Sequence, residues 1–185
     1  MNRPGRVVWA SLVIAMLFTI PAATTPPPGI PGHAAQSHPE HVRSIDKIVA
    51  AFYDTVSGPK GQARDWDRYR NLFFPDARLS VARSAHGTGV VSGFAIDEYI
   101  KSEAGYIEKS GYFERSASVQ VERFGQIAQV LSVYESRRAA EDEQPYSRGV
   151  NSIQLVESAG RWWIVSVLWQ RESEELPIPE AFLDK

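Results

Sequence analysis

The stretch "DWDRYRNLFFPDARLSV", residues 65–81, sets a short helix directly against a strand. Asp65 is a good helix-capping residue, and the aromatic residues that follow it predict one buried side formed by Trp66, Tyr69 and Phe73. Pro75 ends the helix, because a proline pushes the residue before it out of the helical region. The alternating "ARLSVAR", residues 77–83, then predicts a strand.

A helix that turns so sharply into a strand needs a fixed corner. We expect Asp76, next to the proline, to hold the corner by accepting hydrogen bonds from nearby backbone N–H groups, as Asp often does in turns. The corner would then form one wall of a pocket.

Two more helices flank this stretch. Ser44 can cap the first, which ends at Gly58 and Pro59. The third is predicted over "AIDEYIKSEAGYIEKS", residues 95–110, with Gly111 as its stop.

The hydrophobic period then changes to two. Four long strands are predicted in "FERSASVQVERFG", "QIAQVLSVYESRRA", "RGVNSIQLVES" and "RWWIVSVLWQRE". Their short connections favour an antiparallel meander. The predicted fold class is therefore α+β: a strongly curved, mostly antiparallel sheet wrapped around three helices to form a conical cavity.

Composition excludes several kinds of chemistry. The 185 residues carry a net charge of −2, without the basic excess that a nucleic-acid binder needs. Cysteine is absent, which excludes disulfides, thiolate catalysis and cysteine-ligated zinc. We expect no cofactor and no metal, and we interpret His33, His38 and His41 as histidines of a proline-rich segment rather than metal ligands.

The N-terminus is typical of an exported protein. Residues 1–23 combine a positive start with a short apolar run, which predicts a signal peptide with an uncertain cleavage site; an uncleaved membrane anchor is the alternative. Residues 24–43 are interpreted as a disordered linker, residues 44–172 as the domain, and residues 173–185 as an extended tail. We expect a periplasmic or secreted protein, with no stable membrane association after cleavage.

The order of these elements resembles that of a known superfamily. Together with "LFFPDARL", residues 72–79, and "GRWWIVSVLW", residues 160–169, it resembles the nuclear-transport-factor-2-like superfamily, and within it the SnoaL-like domains. The resemblance implies a cystatin-like α+β roll and a homodimer formed through the sheet face. It does not imply one function, because this superfamily hosts isomerases, dehydratases, cyclases, hydrolases and binding domains.

Catalytic patterns that the resemblance implies are missing. A ketosteroid-isomerase-like base would fall on Ser80, Val81 or Ala82, none of which can take a proton. A dehydratase-like histidine could only be His86, which we interpret as a turn residue. An epoxide-hydrolase-like site needs aspartates on strands, and the four long strands contain none.

Strand parity predicts which residues face the cavity. The small and aromatic residues of one strand form the inner face: Ala128, Val130, Ser132, Tyr134 and Ser136. Glu135 and Arg137 then form a pair on the opposite face. The side chains expected to bind a ligand are Tyr53, Trp66, Tyr99, Tyr134, Asn151 and Trp169, although such residues also suit an ordinary core.

Two functions fit this sequence. The first is an exported domain that binds a small, mostly apolar molecule. The alternative is an isomerase, cyclase or dehydratase acting on a hydrophobic cyclic or carbonyl compound. A carboxylate that points into the cavity would favour the enzyme.

Overall fold

A computed structural model describes residues 38–85 and 88–183, which lie within one compact unit, residues 32–185. The helices are α1 Ile45–Val56, α2 Trp66–Arg70 and α3 Ile96–Ser110. The strands are β1 Phe73–Ala85, β2 Thr88–Ala95, β3 Phe113–Phe124, β4 Ile127–Arg137, β5 Ser147–Ser158 and β6 Arg161–Arg171. Two 3₁₀ turns, Pro39–Val42 and Glu180–Phe182, lie at the ends of the described chain. Among the described residues, no helix is long and apolar enough to span a membrane.

The six strands form one sheet in the order β2-β1-β6-β5-β4-β3. β3 to β6 pair antiparallel in sequence, which confirms the predicted meander. β1 pairs antiparallel with β2 and parallel with β6. α1 and α2 pack their aromatic side chains against the inner face of this sheet, where Phe52, Tyr69 and Phe73 are buried together. The α+β roll is thus confirmed.

The corner after α2 is held by a different residue from the one predicted. Asp76 is exposed, and its side chain makes no hydrogen bond with any other residue in the described part of the chain. Instead Arg161, only 2% exposed, donates from Nη1 to Asn71 Oδ1 at 3.1 Å and from Nη2 to the Asn71 carbonyl oxygen. Its guanidinium also stacks on Trp163, 3.7 Å from the ring centroid. The prediction was wrong because the group that holds the corner comes from β6, some 90 residues later in the chain.

Phe73 also lies elsewhere than predicted. α2 ends at Arg70, and Phe73 is the first residue of β1, paired with Ile164. The register between β1 and β6 shifts between Phe73 and Arg78, and Pro75 falls within that shift. A proline has no N–H to donate to a ladder, so an irregular stretch of this kind accommodates it.

The packed chain begins earlier than the predicted domain boundary at Ser44. The turn Pro39–Val42 lies within the segment interpreted as linker, yet Val42 is 1% exposed and belongs to the core. The reason is that the short turn returns this apolar side chain against α1. The predicted signal peptide, the rest of the linker, His33 and His86 lie outside the described residues.

The C-terminal tail crosses the outer face of the sheet. Glu172 Oε1 accepts from the Ile178 N–H at 3.0 Å, and Gln120 Nε2 donates to the Ala181 carbonyl at 2.8 Å. Gln120 lies on β3 and Glu172 follows β6, so the tail runs across the sheet from one side to the other.

Replacing Arg161 should destabilise the fold. Arg161→Gln removes two hydrogen bonds to Asn71 and the stacking contact with Trp163, so we expect the free energy of unfolding to fall by about 2–4 kcal/mol. Arg123→Gln is the matched control, because Arg123 is exposed and pairs with Glu157 at the surface, a kind of contact that contributes about 0–1 kcal/mol. Urea unfolding measures both, and equal losses would contradict the assignment of the corner to Arg161.

Candidate active site

A cavity of about 230 Å³ lies between the inner face of the sheet and the helices. Its walls are unusually rich in hydroxyl groups. Six of the seven tyrosines of the chain line it: Tyr69, Tyr99, Tyr106, Tyr112, Tyr134 and Tyr146. Tyrosine combines apolar area with one polar tip, so this lining suits a molecule that has a ring and a few polar groups.

Small residues on β5 make room for the central tyrosine. Tyr134 pairs with Gly149 across the β4–β5 ladder. A Cβ atom at Gly149 would come within 2.5 Å of the Tyr134 hydroxyl, and it would also collide with the Gln170 carbonyl. Glycine at this position therefore lets the Tyr134 side chain lie across β5 and reach the cavity.

A buried polar network of Tyr53, Ser132 and Asn151 closes the base of the cavity. Asn151 Nδ2 donates to the Tyr53 hydroxyl at 3.0 Å, and that hydroxyl donates to Ser132 Oγ at 2.7 Å. Ser132 pairs with Asn151 across β4 and β5, so the sheet register itself brings the partners together. The network fixes Asn151 in place and satisfies polar groups that burial would otherwise penalise.

A carboxylate and a tyrosine hydroxyl meet at the β3 side of the cavity. The Tyr112 hydroxyl donates to Glu114 Oε2 at 2.6 Å, and Ser136 Oγ lies 3.4 Å from the same hydroxyl. Glu114 pairs with Ser136 across the β3–β4 ladder, on the face that carries Tyr134. All four of these side chains line the cavity.

The end of α1 positions this pair. The Gly58 N–H donates to the Tyr112 carbonyl at 2.7 Å, and the Tyr112 N–H donates back to Gly58 at 3.1 Å. Next to it, the Glu114 N–H donates to Ser57 Oγ at 2.9 Å. Arg64 in turn donates to the carbonyl of Val56, at the C-terminus of α1 where carbonyls lack helical partners, and to the carbonyl of Gly58.

Gly111 joins α3 to β3 immediately before Tyr112 and Glu114. Its φ is 71°, in the region that favours glycine, and a Cβ there would come within 2.6 Å of the Arg138 carbonyl. The close approach brings the start of β3 against the end of β4. Tyr112 and Glu114 therefore begin a strand whose position is fixed on two sides.

Burial dominates the electrostatics of the site. Loss of hydration raises the pKa of Glu114 to about 7, and the hydrogen bond from Tyr112 opposes that rise. Burial, and then the negative charge of Glu114, raise the pKa values of Tyr53, Tyr99, Tyr112 and Tyr134. The tyrosines thus stay protonated donors at neutral pH, while Glu114 is poised between its acid and base forms.

Glu114 also borders a second cavity. A cavity of about 380 Å³ lies between α1 and β3 and is bordered by Ser57, Glu114 and Arg115. Glu114 lines both spaces, which makes it the carboxylate best placed for proton transfer in the described chain.

Four of the six residues predicted to bind a ligand line the first cavity: Tyr99, Tyr134, Asn151 and Trp169. Tyr53 lies beneath the cavity, where Asn151 reaches it. Trp66 lies apart, and its Nε1 donates to Glu108 Oε1 at 3.1 Å. Their role in binding stays a prediction.

The predicted inner face of β4 is confirmed. Its five residues are buried, and Tyr134 and Ser136 reach the cavity. Glu135 and Arg137 pair on the other face at 2.9 Å, where Arg115 also reaches Glu135.

Sequence reasoning missed Glu114. The signal was present, because the register of two antiparallel strands joined by the short turn at Gly125-Gln126 places Glu114 close to Ser136 on the inner face. Finding it required the exact register, which a bulge between Ser116 and Ser118 shifts by one residue.

The histidines before α1 form a hydrogen-bonded turn. Nitrogens of His38 and His41 lie 3.2 and 3.4 Å from Glu40 Oε1, a spacing that could hold a metal ion. However, Arg68 Nε donates to His41 Nδ1 at 3.3 Å, so neutral His41 carries its proton on Nε2, the nitrogen that faces Glu40. Burial and the charge of Arg68 also lower the pKa of His41. This arrangement favours hydrogen bonds over metal ligation.

Comparison with known proteins identifies the fold. No known family profile matches the sequence, and no curated protein matches it. A cystatin-like protein of unknown function from Nostoc punctiforme superposes with a TM-score of 0.54 at 13% identity, over 70% of this chain and 90% of that one. The chain has a cystatin-like fold.

Two further structures with this cystatin-like fold are similar. The beta subunit of a proposed aromatic-ring-hydroxylating dioxygenase from Novosphingobium aromaticivorans has a TM-score of 0.51 at 15% identity, over 72% of this chain and 94% of that one. A Mycobacterium tuberculosis protein of unknown function has a TM-score of 0.50 at 13% identity, over 69% and 74%. At these identities the likeness concerns the fold alone; the SnoaL-like branch stays a prediction.

The raised pKa of Glu114 should make stability depend on pH. The unfolded chain releases this proton near pH 4.5 and the folded chain only near 7, so the wild type loses stability as pH rises through that window. Glu114→Gln lacks the ionisation. We expect its free energy of unfolding, relative to wild type, to increase between pH 4.5 and 7 and then stay constant, by about 1–3 kcal/mol after allowance for partial exposure.

Glu122→Gln is the control, because Glu122 is an exposed glutamate on the same strand. Urea unfolding from pH 4 to 9 measures all three proteins. A Glu114→Gln curve that runs parallel to wild type over the whole range would contradict the raised pKa.

Proposed function

We propose that this chain is an enzyme that binds a small cyclic carbonyl compound in the conical cavity and moves a proton on it through Glu114. The observation that carries the proposal is the Glu114 carboxylate, hydrogen-bonded to Tyr112 and facing the cavity. A domain that only binds a ligand has no need for a desolvated carboxylate, whose burial costs stability. A general base, by contrast, needs a pKa near the working pH, and burial of the carboxylate provides it.

The chemistry follows from the protonation states. Ionised Glu114 takes a proton from the carbon next to the carbonyl; the C–H bond breaks, and its electron pair moves onto the carbonyl oxygen to form an enolate. A protonated tyrosine of the cavity stabilises that oxygen by donating a hydrogen bond, for which Tyr99 and Tyr134 are placed in the lining. In a compound with a C=C bond next to that carbon, the enolate extends over the double bond, and return of the proton to its far carbon shifts the double bond and completes an isomerisation.

The cavity limits the size of the substrate. Its volume of about 230 Å³ suits one or two fused rings rather than a long chain. Trp169 and Tyr99 contact each other edge to face in the lining, with ring centroids 6.1 Å apart, and offer aromatic surface to a planar ring.

Deuterium exchange tests the proposal. Cyclic ketones and enones of one or two rings that raise the melting temperature are incubated in heavy water, and loss of the protons next to the carbonyl is followed by NMR. We expect wild type to catalyse the exchange and Glu114→Gln to lose at least about a hundredfold of the rate, the usual size of a general-base contribution.

Two controls separate chemistry from binding. Glu122→Gln should keep the wild-type rate, and Glu114→Gln should still bind the ligand, because Tyr134 and Trp169 remain. Exchange by Glu114→Gln at the wild-type rate would show that Glu114 is not the base and leave a binding domain as the better description.

A second proposal concerns assembly: we propose a homodimer through the outer face of the sheet. Support comes from Leu168 and Val165 on β6, which are 45% and 37% exposed, since apolar surface on a wide sheet is usually covered. Sedimentation at micromolar concentration should give twice the monomer mass for the wild type and the monomer for Leu168→Glu. Phe124→Glu, at the β3–β4 hairpin, should stay dimeric, and a monomeric wild type would refute the dimer.

A further inference from the structure

Two arginines lie on neighbouring strands at the rim of the first cavity. Val81 pairs with Trp169 in the parallel β1–β6 ladder, and two residues later on each strand come Arg83 and Arg171. Strand parity places both on the inner face, and both line the cavity. Arg171 also donates to the carbonyl of Tyr146, another residue of the lining, at 3.2 Å.

Neither guanidinium has an acidic partner. Within residues 38–85 and 88–183, no carboxylate lies within salt-bridge distance of Arg83 or Arg171. Glu103 on α3 lines the same cavity, but its carboxylate is hydrogen-bonded to Ser102 at 3.3 Å.

A third arginine contacts two tyrosines of the cavity lining. Arg138 lies over the rings of Tyr146 and Tyr106, 4.0 and 5.1 Å from their centroids, and donates to the Tyr106 hydroxyl. Both tyrosines line the cavity. Three guanidinium groups, of Arg83, Arg171 and Arg138, therefore lie in or beside a lining whose carboxylates are Glu103 and Glu114.

Like charges side by side in a sheet repel each other, and the cost falls when an anion lies between them. Guanidinium groups bind carboxylates through paired, charge-assisted hydrogen bonds, which are stronger than neutral ones. The rim therefore has the chemistry of an anion site that opens directly onto the tyrosine-lined interior.

The distance across the cavity suits a ring compound that carries an anionic group. Glu114 on β3 and Arg171 on β6 are three strand spacings apart, about 14 Å along the sheet. The two side chains reach inward from both ends, which leaves room for one or two rings between them. Tyr134 and Gly149 lie on the strands in between.

We infer that the substrate carries a carboxylate, which docks on Arg83 and Arg171 while its ring lies among the tyrosines. The inference rests on the proposed function, because it names the class of molecule that the same cavity takes. The carboxylate fixes the orientation of the ring and points its other end towards Glu114.

Binding of 2-naphthoate and its uncharged analogue 2-naphthamide tests the inference. Titration calorimetry at pH 6 compares wild type, Arg83→Gln, Arg171→Gln and the double variant; Arg123→Gln, an exposed arginine of β3, is the control. We expect wild type and the control to bind the acid at least about tenfold more tightly than the amide, each single variant to lose part of that preference, and the double variant to lose it all. Raising the salt concentration should weaken binding of the acid and leave the amide unchanged.

The outcomes separate the two proposals. Equal binding of acid and amide by the wild type, or a preference for the acid that survives in the double variant, overturns the inference and leaves the proposed function standing. Binding of neither compound at millimolar concentration overturns the aromatic-ring pocket on which both proposals depend. Circular dichroism confirms that the variants fold, as expected for substitutions of exposed arginines.

Discussion

The Tyr112 hydroxyl donates to the Glu114 carboxylate across 2.6 Å, at a place where the protein replaces most of the water around that charge. A carboxylate in such a position is costly unless its surroundings are held in place. The chain provides this support through backbone contacts: the end of α1 pairs with Tyr112, and Ser57 accepts from the Glu114 N–H. The chemistry proposed for the cavity depends on these contacts, because they keep the carboxylate inside rather than let it rotate into solvent.

The same constraint explains why tyrosines, rather than aliphatic residues, surround the cavity. A tyrosine hydroxyl can hydrogen-bond a polar ligand, and burial, together with the negative charge of Glu114, raises the pKa values of Tyr99 and Tyr134 and keeps their hydroxyl groups protonated. Gly149 opens the sheet for Tyr134, and Arg161 fixes the corner that places Tyr69 against the core. Fold and site are therefore coupled through a few buried polar contacts rather than through the apolar core alone.

The order of helices and strands follows from hydrophobic period and from capping and stop residues, so it could be predicted from the sequence. The inner face of β4 could also be predicted, since alternation with small residues marks it. By contrast, the partner of Asn71 could not, because Arg161 lies 90 residues away and nothing local connects the two. Glu114 was missed because its face depends on a register that a bulge shifts. Long-range contacts and irregular register are the parts of this structure that local patterns do not encode.

The pKa of Glu114 itself tests the central claim most directly. With glutamate side-chain carboxyl carbons labelled with carbon-13, an NMR titration of the folded protein should show one carboxyl with a midpoint near 7 that is missing in Glu114→Gln. Tyr112→Phe should raise that midpoint, since it removes the hydrogen bond that favours the ionised form. A titration in which every glutamate has its midpoint below pH 5 would show that Glu114 is an ordinary hydrated carboxylate and would contradict the account.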